Sequence, residues 1–371
     1  MNMKNDFFGG FYRNKKVLIT GNTGFKGSWL SIWLVKLGAN VVGLSNEVPT
    51  YPSLFENAKL SNALDYRKGE IRDLKSMCSL LEETKPELIF HLAAQAIVSV
   101  SYDDPVETIS TNTLGTATIL EAVRKCSHPC TVVIITSDKC YENLEWPWGY
   151  RESDQIGGRD PYSASKGCAE LIFHSFYESY FAKSENVRLC SARAGNVIGG
   201  GDWAKDRIVV DCVENWAKGL PVEIRCPDAT RPWQHVLEPL SGYLHLAREL
   251  SMNSSLSGQS YNFGPKELHN KSVINLLQDL SKYWNFKEPE NAFLIKGNLP
   301  FNEGSLLKLN CDKALFDLKW TPTLSYEECV KYVSQWYYAF YHDEVDALDL
   351  CLGNIATFEQ KACERGLSWS N

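Results

Sequence analysis

What the sequence lacks narrows its function before any motif is considered. No stretch approaches the roughly 18 consecutive apolar residues of a membrane-spanning helix. The N-terminal MNMKNDFFGGFYRNKK has no apolar run of the kind a secretory leader needs, so a cytoplasmic protein is expected. The basic excess that nucleic acid or an anionic membrane rewards is missing too: 38 Lys and Arg face 45 Asp and Glu, a formal net charge of -7. An anionic ligand must then be held by a few placed cations rather than by a general field. No C-x-x-C pair occurs among the 12 cysteines, which are scattered singly. Cys126 and Cys130 flank His128 but have no second pair of ligands, so buried reduced thiols are expected, not disulfides or a metal. Internal repeats and low-complexity tracts are absent as well.

What is present suits a large globular chain. Hydrophobic residues make up 44% and charged residues 22%, ample for a core. At 371 residues the chain exceeds the roughly 250 to 300 at which single cores stop growing. Two lobes are expected, residues 1–198 and 199–371, with some exchange of chain between them. The first has a regular rhythm. KKVLIT (15–20) is a short apolar run, SWLSIWLVKLGAN has apolar residues at helical spacing and closes on Gly38 as a helix C-cap, and NVVGLS (40–45) is a second strand. Strand, glycine turn, helix and strand make a right-handed β-α-β crossover with the strands parallel. ALDYRKGEI, ELIFHLAAQ and TVVIITS continue as strands, separated by the helices DLKSMCSLLEET and TNTLGTATILEAVRKC. This predicts an α/β fold, a doubly wound parallel Rossmann sheet covered on both faces. Beyond about Gly199 the rhythm breaks into GGGDWAKDR, KGLPVEIRCPDATRPW and YWNFKEPENAFLIKGNLP. That half reads as a smaller irregular lobe with Trp203, Trp216 and Trp233 in its core.

The turn GNTGFKG sets Gly21, Gly24 and Gly27 three apart between strand and helix. Tight turning, close approach of backbone to a pyrophosphate and close helix-strand packing each require a glycine, and the anion sits at the positive helix end. This turn, with Asn22, Thr23, Phe25 and Lys26 between the glycines, is expected to hold a dinucleotide. At the end of the second strand, where an acid selects the ribose diol of NAD or an arginine the extra phosphate of NADP, stands LSNE. Neither an acid directly at the strand end nor a nearby arginine is present. Ser45 or Asn46 is therefore expected to meet the ribose, and NAD is the expected cofactor, Lys26 being the cation that argues otherwise.

DPYSASKGCAE places Tyr162 and Lys166 one helical turn apart, on one face. An ammonium beside a phenol favours the phenolate, lowering its pKa from about 10 and making Tyr162 a base for an alcohol proton. The order of features is a glycine-triplet β-α-β, a strand ending in the hydroxyl residue Ser137, then Y-x-x-x-K. That layout resembles the extended short-chain dehydrogenase/reductases across most of the chain. The resemblance implies that Ser137 orients the substrate hydroxyl, Tyr162 is the base and Lys166 also holds the nicotinamide ribose. It implies further that Glu70, Ile71, Leu92, Ala93, Ala94 and Asn112 border the cofactor and Gln95 the substrate.

Directly after Ser137 come Asp138 and Lys139. Nucleotide-sugar 4,6-dehydratases of this family carry an acid and a base in that place, typically as Thr-Asp-Glu, with lysine here standing for the glutamate. Oxidation at C4 acidifies the C5 hydrogen. A base then removes it, Lys139 if neutral, and an acid, Asp138, protonates the departing C6 hydroxyl. An epimerase or reductase needs only Ser137, Tyr162 and Lys166, and a non-catalytic NAD-binding protein needs no such chemistry; these are the competing readings. Lys139, with SDKCYEN, EWPWGYRE, RAGNVIGGGDWAKDRIV and RPWQHVLEPLSGY, resembles the branch acting on CDP-glucose, and implies that substrate. Val210 stands where that branch is expected to have proline.

A diphosphate needs placed arginines, and Arg193, Arg207 and Arg231 are candidates. By resemblance Arg231 clamps the pyrophosphate and Asn196 meets the phosphate-sugar link, with Arg207 joining them. His235 and His91 are expected to be hydrogen-bonded structural histidines. Family precedent implies a homodimer or homotetramer, through helices such as those after Asn112 and Tyr162.

Overall fold

Strands form where the apolar runs are too short and too thoroughly buried to be amphipathic helices. The computed structural model describes residues 6–224, 226–265, 270–284, 286, 288–296 and 306–371. β1 (Lys16–Thr20), β2 (Asn40–Ser45), β3 (Asp65–Lys68), β4 (Leu88–His91), β5 (Cys130–Ile135) and β6 (Val187–Ala194) join the strand Ser260–Phe263 in one sheet. The order across it is Ser260–Phe263, β6, β5, β4, β1, β2, β3, every pair parallel. β4 and β5 are buried along their whole length, as strands covered by helices on both faces must be. Alternate residues feed two separate cores: Val17, Ile19, Phe90, Val133 and Ile135 one, Leu18, Ile89, Val132 and Ile134 the other.

Strand order reverses between β1 and β4, so the crevice beyond their carboxyl ends is where an open α/β sheet takes a ligand. Register puts Thr20 opposite His91 and His91 opposite Ile134, which brings Gly21, Leu92 and Thr136–Lys139 to that same edge. The expected helix TNTLGTATILEAVRKC begins as a π-turn over Ser110–Leu114 and continues as Gly115–Lys125. Gly38, at φ +83°, follows the first helix, α1 (Phe25–Lys36), as expected of its C-terminal glycine.

The second half of the chain adds small two-stranded pieces: Gln234–His235 with Val197–Ile198, Asn270–Ser272 with Thr230–Pro232, and Phe293–Ile295 with Val222–Ile224. It also returns a strand to the large sheet, since Ser260–Phe263 pairs with β6. Trp203, Trp216 and Trp233 are buried. Of YWNFKEPENAFLIKGNLP, positions 285, 287 and 297–300 lie outside the described residues. The cysteines are free thiols, and His128 Nε2 sits 3.2 Å from the Pro86 carbonyl. Among the described residues no helix is long and apolar enough to cross a membrane.

Candidate active site

The glycine turn is built by steric necessity. A Cβ on Gly27 would stand 2.1 Å from the Gly21 carbonyl oxygen, and one on Gly21, at φ +76°, would stand 2.7 Å from Ala93 N. Gly24 is different: its nearest neighbour would be 3.5 Å away, so the fold does not demand it. It caps α1 with no side-chain acceptor, leaving the first helical N–H groups available to an anion. Asn22 is buried with an unpartnered Nδ2, and Ser45 Oγ donates to its Oδ1 at 2.9 Å while accepting from Thr23 N at 3.3 Å. Gly43 is needed because a Cβ there would meet Asn22 Nδ2 at 2.5 Å. Thr23 Oγ1 donates to the Glu47 carbonyl at 2.6 Å, which holds the LSNE segment, Asn46 included, against the turn. Leu92 N and Ala93 N bond to Thr20, fixing the facing loop that Ala94 continues. An open cradle, bare helix N–H groups and an orphaned buried amide fit a dinucleotide.

The catalytic candidates converge at the end of β5. Ser137 caps a single 3₁₀ turn over Asp138–Cys140, accepting from Lys139 N at 3.2 Å and donating to Asp138 Oδ1 at 2.9 Å. Asp138 is 3% exposed and its Oδ2 has no partner. Burial raises its pKa against the opposing influence of Lys139, Ser137 and Lys26, which favours the protonated acid. Asp160 caps the helix Pro161–Phe176 by accepting from Ser163 N at 2.9 Å, and so aims Tyr162 and Lys166 at the same place. Ser137 is the phenol's hydrogen-bond neighbour, with Arg207 and Asp138 the next charges. Lys166 Nζ lies 5.9 Å from the Tyr162 ring centroid.

One expectation is overturned in direction. Burial pushes the Tyr162 phenol up to about 12, outweighing Ser137 and Arg207. The desolvation of a nearly inaccessible phenol exceeds what an ammonium near its ring face returns. Lys166 itself is drawn down to about 8 by burial, against Cys140 and Glu170.

The second half of the chain completes the wall. A Cβ on Gly195 would lie 3.1 Å from Asp138 Oδ2 and 4.0 Å from Pro232 Cγ, so the turn carrying Asn196 borders the acid and the strand carrying Arg231 packs against that turn. Arg207, with a buried unpartnered Nε, and Asp202 share their charges with Lys26. Burial lowers Lys26 to about 8. Neither Asp202 nor the cluster around Lys26 was expected from the sequence. Asp202 sits in GGGDWAKDR, whose glycines gave no sign of a buried carboxylate.

Other candidates are already committed elsewhere. Arg193 is buried in an ion pair with Glu170 at 2.8 Å, its guanidinium spent on protein partners. Gln95 donates its amide to Ile97 O and Thr108 Oγ1, both at 2.9 Å, and so holds its own loop. Asn112 braces that loop to the tyrosine helix: its Oδ1 accepts from Gln95 N at 2.8 Å and its Nδ2 donates to Ser165 Oγ at 2.8 Å. Glu70 is paired with Arg72 at 2.8 Å, and Ile71 packs under Gly115. His91 and His235 are buried and brought down to about 3 by desolvation, the structural histidines expected. His91 Nδ1 pairs with Thr20 Oγ1 at 2.8 Å and His235 Nδ1 accepts from Leu237 N at 3.3 Å.

The chain is similar to known proteins. The family model described as GDP-mannose 4,6 dehydratase matches residues 18–333. A CDP-glucose 4,6-dehydratase of Salmonella typhimurium is 44% identical over 338 residues, 90% of this chain and 93% of the relative. A CDP-paratose 2-epimerase of Salmonella typhi is 26% identical over 86% of this chain and 98% of its own. Among solved structures, dTDP-glucose 4,6-dehydratase from Bacillus anthracis in complex with NAD superposes with TM-score 0.74 at 20% identity, covering 90% of this chain and 99% of that one. At that identity the superposition speaks for the fold alone. Family membership rests instead on the long model match and the 44% relative: the chain belongs to the GDP-mannose 4,6-dehydratase family of extended short-chain dehydrogenase/reductases.

Proposed function

We propose that the chain is an NAD-dependent hydro-lyase that converts CDP-glucose to CDP-4-keto-6-deoxyglucose. One observation carries the reading: an acid, Asp138, buried with an unpartnered oxygen beside Ser137 and Tyr162, in a chain 44% identical to a CDP-glucose 4,6-dehydratase over 90% of its length. A 4-epimerase or reductase has no use for an acid there.

NAD, when bound, takes the C4 hydride and returns it at C6. The cradle Gly21–Gly27 with Ser45, Asn46, Ala93 and Lys166 would hold it. Tyr162, oriented through Ser137, accepts the C4 hydroxyl proton as its phenolate, which burial disfavours and which the positive nicotinamide ring of bound NAD would favour. Lys139, half-buried on the 3₁₀ turn, takes the C5 proton in its neutral amine form once the 4-keto group has acidified it. Asp138 delivers its proton to the departing C6 hydroxyl, which its neutral form permits. Arg207 and Arg231 meet the diphosphate and Asn196 the phosphate-sugar link. Residues 1–198 form the NAD-binding lobe and 199–371 mainly the nucleotide-sugar lobe. The protein works in the cytoplasm as a homodimer or homotetramer. Exposed apolar side chains at Tyr102, Val106, Ile109, Leu114, Leu171 and Tyr180, on the helices after Ile97 and Asp160, support the assembly.

Mass spectrometry after incubation with CDP-, dTDP- and GDP-glucose tests the reading. The CDP sugar is expected to lose the mass of one water with no build-up of NADH. Steady NADH production, or an unchanged mass with an epimerised sugar, defeats it.

A further inference from the structure

The proposed chemistry leaves one buried charge unused. Glu170 lies one helical turn beyond Lys166, on the same face, and is 3% exposed. One carboxylate oxygen accepts from Thr136 Oγ1. The other accepts from Ser191 Oγ at 2.8 Å, Arg193 Nη2 at 2.8 Å and Ser260 Oγ at 3.2 Å. These donors come from three adjacent strands. Thr136 immediately precedes Ser137–Lys139, and Arg193 stands two residues before Gly195, the glycine packed against Asp138. Arg193 Nη1 goes on to the Tyr141 hydroxyl at 2.7 Å, which donates to Asn262 Oδ1 at 2.8 Å. A single carboxylate thus ties the helix bearing Tyr162 and Lys166 to both strand ends that frame the acid.

Its charge matters as well as its bonds. Burial would push Glu170 up, but Arg193 and the hydrogen bonds outweigh it and the group stays ionised. The groups facing Lys166 are Tyr162 on its own helix, Cys140 from the 3₁₀ turn, His91 from β4, Lys26 from α1 and Glu170. Burial keeps the Cys140 thiol and the His91 ring neutral, and Lys26 is a cation. Among these, Glu170 alone presents a negative charge to the ammonium.

We propose that Glu170 is a positioning residue of the reaction, binding the strand end Thr136–Lys139 to the Tyr162–Lys166 helix and supplying the negative charge that faces Lys166. The inference rests on the dehydratase reading above. Glu170→Gln and Thr136→Val in the full chain, with NAD and CDP-glucose, test it through kcat and KM against pH, with thermal melts of each protein.

Glu170→Gln is expected to lower kcat on the order of tenfold with little change in KM. It should also move the alkaline limb of the profile to lower pH by about one unit or more, because Lys166 loses its proton more easily. Thr136→Val, which drops one bond and keeps the charge, should lower kcat and leave the limb where it was. A Glu170→Gln limb at the wild-type position overturns the proposal even if kcat falls, since a purely structural defect scales the whole profile. If Glu170→Gln does not fold, Arg193→Gln decides: without the cation that keeps Glu170 ionised, burial favours its neutral form, so the limb should move to lower pH as in Glu170→Gln, and an unmoved limb overturns the proposal. A wild-type protein inert on CDP-glucose defeats the dehydratase reading and this inference with it. An active wild type with unmoved limbs defeats this inference alone.

Discussion

In the proposed reaction, Asp138 is the residue on which dehydration turns. Burial favours its neutral form, and a buried neutral acid can hand a proton to a leaving hydroxyl where a solvated carboxylate cannot. Asp138→Asn is therefore expected to slow water loss by about 10² to 10⁴ while C4 oxidation survives, visible as a transient of NADH absorbance that no longer decays. Equal slowing of both steps would remove Asp138 from the acid's role. Ser137, Tyr162 and Lys166 were legible because their spacing is local, one strand end and one helical turn. Glu170 was not, because its significance lies in bonds to positions 136, 191, 193 and 260, which only folding brings within 3.2 Å or less. The direction of the Tyr162 shift was misjudged for a related reason: the sequence shows the neighbouring lysine but not the extent of burial that outweighs it.

At the scale of an element, the glycine turn separates what the fold needs from what a ligand needs. Gly27→Ala drives a methyl into the Gly21 carbonyl at 2.1 Å, a backbone atom that cannot yield, so a loss of about 3 kcal/mol or more is expected. Gly24→Ala meets nothing closer than 3.5 Å and should melt within about 1 kcal/mol of wild type, yet bind NAD at least about tenfold more weakly, because its backbone is where a pyrophosphate approaches. Calorimetric melting and an NAD titration of the two variants read the contrast. Equal NAD affinity for Gly24→Ala and wild type would show the turn to be structural only. The motif announced the turn, but not which glycine does which task, since all three look alike until their neighbours are placed.

Across the whole molecule, the two halves of the chain are interlocked. The strand Ser260–Phe263 completes the sheet built by the first half, and Trp33 Nε1 donates to Glu359 Oε1 at 2.9 Å. Trp29 Nε1 on α1 donates to the Gly200 carbonyl at 2.9 Å, and a Cβ on Gly200 would lie 1.9 Å from Trp336 Cδ2. Trp336, 1% exposed, therefore backs the loop that backs the cofactor helix. Trp336→Ala is expected to cost about 3 to 5 kcal/mol and to lower the melting of the whole chain in one transition. Separate melting of two units would show that the lobes are independent.

By itself the sequence determined the parallel sheet and the glycine turn, and it put forward the three residues proposed for alcohol oxidation. Each is written in patterns spanning a few residues, where period and spacing translate directly into geometry. Only the tertiary structure decided that Arg193, Gln95 and Asn112 brace the scaffold, that Lys26, Asp202 and Arg207 act on one another's charges, and that Glu170 is tied to strand ends beside the Lys166 helix. Charge, burial and hydrogen-bond partnership depend on which distant segments meet, and those distances are set by packing rather than by order along the chain.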